Sequence, residues 1–373
     1  MANPLAKIFK SSGIFSGPSE SAVGIDVGTS AIKVVEIKRK GGRAVLETYG
    51  AISLGPYAGA DVGRVTNLPI EKITEALKEV LKQAGVSSSS AGFSIPVRES
   101  LIFTLELPGQ TKPEQIPAIV PTEARKYIPV PITEVTLDYF VLPKKEQSHE
   151  EASTPLGGES GKTEVLVVAL QNESVSRFRS LVSETSLNAS FFEIEIFATI
   201  RSTFEHELSL VLLLDFGASS TKLTLVEFGT VRSYHTIARG GADITDSIAT
   251  SLGVTFSEAE KVKKESGLSK NAAEKNVADI IRTHVDYIFA EANTVLLAYE
   301  QKYGRTVSKV ILSGGGALLH GLSEAAAENF RAEIELGEPF RKVNAPAFLD
   351  KVLAATGPEF AVALGLALRK LEK

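Results

Sequence analysis

Residues 23–37 read Val-Gly-Ile-Asp-Val-Gly-Thr-Ser-Ala-Ile-Lys-Val-Val-Glu-Ile, and residues 212–226 read Leu-Leu-Leu-Asp-Phe-Gly-Ala-Ser-Ser-Thr-Lys-Leu-Thr-Leu-Val. Both contain Asp-x-Gly-x-Ser-x-x-Lys, as Asp26, Gly28, Ser30 and Lys33 and again as Asp215, Gly217, Ser219 and Lys222. An apolar run precedes and follows each turn, which is the pattern of a β-hairpin with a small-residue tip. Glycine lets the backbone bend tightly and approach a ligand, and the free N–H groups of such a turn form a nest for anionic oxygens. Hydroxyls add donors, and an aspartate can hold Mg²⁺ through its waters. A single Asp-x-Gly is first of all a turn signal. Two copies at matching places in two halves point to a clamp that grips a polyphosphate from both sides.

The rest of the composition narrows the class. At 373 residues the chain is too long for one ordinary core and fits two domains. A net charge of −5, with no clustered Lys/Arg stripe, argues against a nucleic-acid binder. There is no cysteine, so disulfides, thiolate catalysis and Cys-based metal sites are excluded, and a reducing compartment fits. No uninterrupted apolar run approaches the roughly 18 residues of a membrane helix. Residues 1–20 lack the apolar core of a signal peptide; they read as a flexible tail, or else as a basic, weakly amphipathic surface attachment.

Helical spacing of Ile70, Ile73, Leu77, Val80 and Leu81 predicts a helix ended by Gly85. Strands are expected at 91–97, 101–107, 135–142 and 165–170. The helical segment 111–128 carries Pro117 and Pro121 and should break or restart. Residues 144–162 are polar, Glu/Ser/Gly-rich and aperiodic, and read as a mobile loop. Roughly 99–187 therefore reads as an inserted β-α-β-β-α unit. In the second half, Ser257-Glu-Ala-Glu260 has capping-box spacing, and a long periodic helix runs from Val277 to Tyr303. Val310-Ile-Leu-Ser313 then leads through Gly314, Gly315, Gly316 and Ala317 into a helix. By itself such a glycine cluster is as well read as a plain turn as a ligand loop.

Turn, second turn, then Gly-Gly-Gly before a helix resembles the actin-like ATPase fold. That resemblance covers essentially the whole chain and implies an α/β protein of two duplicated lobes around a nucleotide cleft. The first lobe is expected at 21–98 and 188–207, with the insertion at 99–187. The second is expected at 208–373, with a smaller helical/β subdomain at about 243–307. Glu123-Ala-Arg-Lys-Tyr-Ile-Pro-Val-Pro-Ile-Thr-Glu-Val-Thr-Leu-Asp-Tyr139, Arg239-Gly-Gly-Ala-Asp-Ile-Thr and Ser257-Glu-Ala-Glu-Lys-Val-Lys263 are similar to segments of the PilM family of type IV pilus assembly.

By that resemblance, Gly28, Thr29, Ser30 and Lys33 form the first phosphate loop. Asp215, Gly217, Ala218, Ser219, Thr221 and Lys222 form the second, with Gly240 beside it. Asp26 and Asp215 flank Mg²⁺, and Gly314, Gly315, Gly316 and Ala317 lie against adenosine. Glu258 and Lys261, one helical turn apart, reach ribose and base, or else belong to a solvated face. Glu195 is the candidate for placing an attacking water, although Ile196 stands where the superfamily usually has proline. The resemblance implies ATP and Mg²⁺ as cofactors, tight binding and at most slow hydrolysis. It also implies a cytoplasmic protein held peripherally at the inner membrane by the N-terminal peptide of PilN, docked between the first lobe and its insert. PilO, the pilus ATPases, the platform protein and self-association are further contacts it allows. Three rival readings are an FtsA-like cell-division filament and membrane tether, a small-molecule kinase, and an adaptor that keeps the loops without binding nucleotide. The C-terminal 366–373 reads as the last helix of the domain, whereas FtsA carries a linker and membrane helix there. No sugar-site segment supports the kinase.

Overall fold

The computed structural model describes residues 20–109, 111–142, 162–205, 207–268 and 275–371. The expected tail, up to residue 19, and the expected mobile loop, from 144 to 161, lie outside the described residues.

The first lobe begins with β1 (Ser21–Val27), β2 (Ala31–Lys40) and β3 (Arg43–Ser53), followed by α1 (Ile70–Gln83) and β4 (Ser90–Ile95). The chain then enters the insert: β5 (Ser100–Leu107), α2 (Ile116–Ala124), β6 (Val135–Val141), β7 (Thr163–Gln171) and α3 (Asn172–Ser183). It returns through β8 (Asn188–Ile194) and α4 (Glu195–Thr203). The second lobe repeats the plan with β9 (Val211–Phe216), β10 (Thr221–Glu227) and β11 (Thr230–Ile237), then α5 (Gly241–Leu252), α6 (Phe256–Ser266) and α7 (Lys275–Tyr303). The chain closes with β12 (Lys309–Ser313), α8 (Leu322–Asn329), β13 (Glu333–Leu336), α9 (Asp350–Thr356) and α10 (Ala361–Leu371).

The sheet orders are β3-β2-β1-β4-β8 and β11-β10-β9-β12-β13, so the two lobes are copies of one topology. In each, an antiparallel three-strand meander is followed by two parallel strands. β1 and β9 lie at the centre, covered on both faces, which is why their sequences are nearly continuous apolar runs. The insert forms its own sheet, β5-β7-β6, backed by α2.

The expected break in the insert's helix falls ahead of its prolines. A 3-10 turn at Pro113–Gln115 gives way to α2, which places Pro117 in the first turn, where an N–H has no helical partner. Pro121 stays inside α2; burial of Ile116, Val120 and Ala124 against β7 holds the helix despite the lost hydrogen bond.

Two further expectations are corrected. The cap of α6 is Thr255, not Ser257: Thr255 Oγ1 accepts from Glu258 N, and Glu258 Oε2 accepts from Thr255 N. Starting there brings Phe256 into the helix, on the buried face with Ala259, Lys263 and Ser266. The second correction concerns the end of the chain. The expected second lobe includes the C-terminal helix, but α10 packs on the first lobe, in a core with Ala22, Val35 and Ile37. A Cβ at Gly24 would lie 1.8 Å from Ala363 O, and one at Gly365 would lie 1.9 Å from Ala198 O. These glycines let helix, sheet and α4 touch backbone to backbone. A window within residues 347–371 is apolar enough to cross a membrane, but a 3-10 turn at Gly357–Phe360 interrupts the stretch, and most of that window is buried in the fold. Between β11 and β12 the described residues form helices α5–α7 and no strand.

Candidate functional site

The two hairpin tips have matching geometry. Gly28 N donates to Ala31 O and Gly217 N donates to Ser220 O, each at 3.0 Å. A Cβ at either glycine would come within 2.9 Å of the carbonyl its N–H reaches. Asp26 sits across from Lys33 on the neighbouring strand, and Asp215 sits across from Lys222. Thr29 Oγ1 and Ser219 Oγ meet across the cleft at 3.4 Å. Gly28, Thr29, Ser30, Lys33, Asp215, Gly217, Ala218, Ser219, Lys222, Gly314 and Gly315 all line one cleft between the lobes.

Equivalent positions do different work. Lys222 Nζ donates to Glu195 Oε2 at 2.7 Å and to Asp215 Oδ2 at 3.1 Å. Lys33 lines the same cleft without an ion-pair partner among the described residues. Burial pushes the Glu195 carboxyl up against the pull of Lys222, and the nearby Asp215 and Asp26 carboxylates push it further. Burial opposes the Lys222 charge, but Asp215 and Glu195 outweigh it and hold the ammonium well above the usual lysine range. Asp26 Oδ1 accepts from Ser94 Oγ at 2.8 Å. Glu195 lines the cleft too, and each of its oxygens accepts a hydrogen bond: Oε1 from Val97 N at 2.8 Å, Oε2 from Lys222 Nζ.

The glycine cluster after β12 has a steric cause. At Gly314 φ is +83°, and a Cβ would lie 2.3 Å from Asp215 Oδ1 and 2.6 Å from Phe216 O. Gly316 faces Phe216, with a Cβ position 2.8 Å from that side chain, and Ala317 is buried in the core of the second lobe. Gly240 touches Ala218 O, at 2.4 Å from its Cβ position, and Gly241 N and Ala242 N donate to Gly217 O and Ala218 O at 2.9 Å. The second tip is thus clamped to the N-terminus of α5. Thr221 is fully buried and its hydroxyl donates to Arg239 O at 2.9 Å, so it holds the loop from behind. Glu258 and Lys261 are exposed and do not line the cleft; the Glu258 carboxylate is spent on the α6 cap. One helical turn on, the buried Lys263 joins Glu260 at 2.6 Å and Gly241 O at 2.9 Å.

Several cleft residues carry no motif in the sequence: Arg98, Tyr234, Ser313 and Glu359. Burial pushes the Tyr234 hydroxyl up to about 12. Ser313 Oγ is buried with no hydrogen-bond partner among the described residues. That orphan hydroxyl and a Lys33 with no ion-pair partner among the described residues fit a phosphate-bearing ligand. For Mg²⁺ the donor set is two aspartates, and among the described residues no group of three His, Asp or Glu side chains could form a cage. This suits a cation that keeps its waters and binds through one or two carboxylates plus phosphate.

A duplicated five-stranded sheet with facing Gly-Ser turns defines an actin-like protein. The chain belongs to the family "Type IV pilus assembly protein PilM", whose model matches residues 24–371. A solved PilM–PilN type IV pilus biogenesis complex is similar over 96% of this chain and 100% of that one, with 27% identity and a TM-score of 0.78. MreB5 of Spiroplasma citri bound to AMPPNP covers 93% of this chain and 95% of its own, at 11% identity and a TM-score of 0.50, which is a likeness of fold. Among curated proteins, the cell division protein FtsA of Pseudomonas aeruginosa is 23% identical over 85% of this chain and 83% of its own length.

Proposed function

We propose that this protein is a nucleotide-responsive scaffold of type IV pilus assembly, binding ATP·Mg²⁺ in the cleft and the N-terminal cytoplasmic peptide of PilN in a groove beside it. The single observation that carries the nucleotide half is the meeting of two equivalent hairpin tips with an uncompensated Lys33 between them. Backbone N–H groups, Thr29, Ser30 and Ser219 hydroxyls and Lys33 would hold the phosphates. Asp26 and Asp215 would meet a hydrated Mg²⁺, which neutralises phosphate charge when bound. Because Thr29 and Ser219 are in contact, a triphosphate between the tips has to part them. Nucleotide therefore sets the closure of the lobes, as a shift of population.

Hydrolysis is slow on this reading. Lys222 and Val97 N each hold one Glu195 oxygen, which fixes the carboxylate in place and leaves it poorly able to swing onto an attacking water. The solved PilM–PilN complex supports the partner. In this chain a groove of about 660 Å³ lies between the first lobe and the insert, walled by Leu101, Ile128, Pro129, Val130 and Val135. Apolar anchors of that kind suit a short extended peptide. PilN would fix the otherwise cytoplasmic protein at the inner membrane, with PilO, the pilus ATPases and the platform protein as neighbours.

Calorimetric titration with ATP·Mg²⁺, and separately with a synthetic PilN N-terminal peptide, tests both halves. Saturable binding of each with negligible phosphate release is the expected result. Fast, substrate-dependent ATP consumption would replace the scaffold with a kinase, and strong pelleting of the isolated protein with lipid would favour an FtsA-like tether.

A further inference from the structure

The turn Val97–Glu99, where the chain leaves the first sheet for the insert, belongs to both cavities. Arg98 lines the nucleotide cleft and also the peptide groove. Its side chain is exposed and forms no ion pair among the described residues. On its cleft side the turn is already tethered: Val97 N donates to Glu195 Oε1 at 2.8 Å, Glu195 Oε2 meets Lys222 at 2.7 Å, and Lys222 meets Asp215 at 3.1 Å.

On the groove side, Glu99 has a side chain only 9% exposed. One of its oxygens pairs with Arg177. The other, Oε2, is buried without a hydrogen-bond partner among the described residues. A buried carboxylate oxygen with no donor is costly and rare in folded proteins, so it marks a place where a donor is due. Glu99 is one of the residues that line the groove with Leu101 and Val130, so a peptide seated there would bring the donor as an N–H or a cationic group.

We infer that this turn couples the two sites: a peptide donor captured by Glu99 Oε2 fixes the turn with Arg98 presented to the phosphates, so that each ligand tightens the other. The inference rests on the nucleotide-and-peptide reading above. Arginine suits the role because its guanidinium stays charged and its planar fork matches phosphate oxygens. Linkage makes the effect reciprocal, so it can be read from either ligand.

The experiment is calorimetric titration of the full chain with the synthetic PilN N-terminal peptide, with and without saturating ATP·Mg²⁺. Wild type should bind the peptide at least about fivefold tighter with nucleotide. In Arg98→Ala and in Glu99→Gln that ratio should fall to near one, and Arg98→Lys should restore part of it. Circular dichroism melts check that the variants fold; exposed Arg98 has no ion-pair partner among the described residues whose loss would unfold the chain, so the Arg98 pair carries the test if Glu99→Gln does not fold. If wild type binds both ligands with a ratio of one, the coupling is wrong and the scaffold reading stands. If the ratio persists in Arg98→Ala, this turn is not the coupler. If the peptide fails to bind in either state, the groove assignment and the coupling fall together.

Discussion

Lys222 in the second lobe reaches Glu195 in the first, Nζ to Oε2 at 2.7 Å, and so ties the two halves together at the floor of the cleft. Both side chains are largely withdrawn from water, at 17% and 10% exposure. Removing one partner of such a pair strands the other charge. Lys222→Met should therefore cost about 3–5 kcal/mol, read from urea unfolding. A loss below about 1 kcal/mol would mean that water screens the pair despite its burial.

Lys33 is the opposite case. With no ion-pair partner among the described residues, Lys33→Ala should change unfolding without nucleotide by less than about 0.5 kcal/mol. Wild type should gain about 2.7 kcal/mol when ATP stands at a hundred times its dissociation constant, and the variant should gain clearly less at that same concentration. Thermal melts with and without ATP·Mg²⁺ decide it. Equal gains in both proteins would remove Lys33 from the phosphate site.

Gly314→Ala asks an L residue to adopt φ +83° with its Cβ 2.3 Å from Asp215 Oδ1. Strained backbone of this sort costs about 1–3 kcal/mol, and the displaced Asp215 should weaken Mg²⁺-dependent nucleotide binding. Alanine at Gly315 meets nothing closer than Glu359 Cβ at 3.7 Å and should leave stability nearly unchanged. Denaturant curves for the two variants give the comparison.

Gly365→Ala tests the docking of α10 on the first lobe. The added methyl would fall 1.9 Å from Ala198 O, and overpacking of this kind costs about 1–3 kcal/mol or more. Limited proteolysis should then release the C-terminal helix from the variant before wild type. Unchanged protection would show that the helix can shift along the sheet at little cost.

A fourth contact responds to pH. Glu106 in the insert meets Lys302 of α7 at 2.8 Å and Lys162 at 2.9 Å, and those hydrogen bonds hold its carboxyl down to about 2, from an ordinary 4.5. A lowered folded-state value means the contact stabilises above pH 4.5 and is lost as pH falls toward 2. The groups are substantially exposed, so the contribution is at most about 1 kcal/mol and should shrink in salt. Glu106→Gln should be less stable than wild type at pH 7 and equal to it near pH 2. A gap that survives acid would assign the effect to packing.

Much of the architecture was legible because it is written locally. The α1 stripe, the strands of the insert and the two Asp-x-Gly turns each depend on residues within one element. The α6 cap is ambiguous in the sequence, because Ser257/Glu260 and Thr255/Glu258 both have the right spacing; the folded chain, with Phe256 buried, takes Thr255. Arg98, Tyr234 and Ser313 carried no sequence signal, since a lone arginine, tyrosine or serine reads the same in a cleft as on a surface. Glu195 stood out in the sequence, but the engagement of both its oxygens did not.

By itself the chain determined that two glycine-bent Asp-x-Gly-x-Ser-x-x-Lys hairpins recur, each flanked by apolar strands. Apolar periodicity and turn stereochemistry are properties of neighbouring residues, so no folding was needed to read them. Folding alone decided that Lys222 is ion-paired while Lys33 has no ion-pair partner among the described residues, and that α10 crosses back to the first lobe. Those outcomes hang on pairs far apart in the chain, such as Thr29 with Ser219, separated by 190 residues, and Arg201 with Gly365, separated by 164. Such partners are chosen by which cores bury together, and that is settled only in three dimensions.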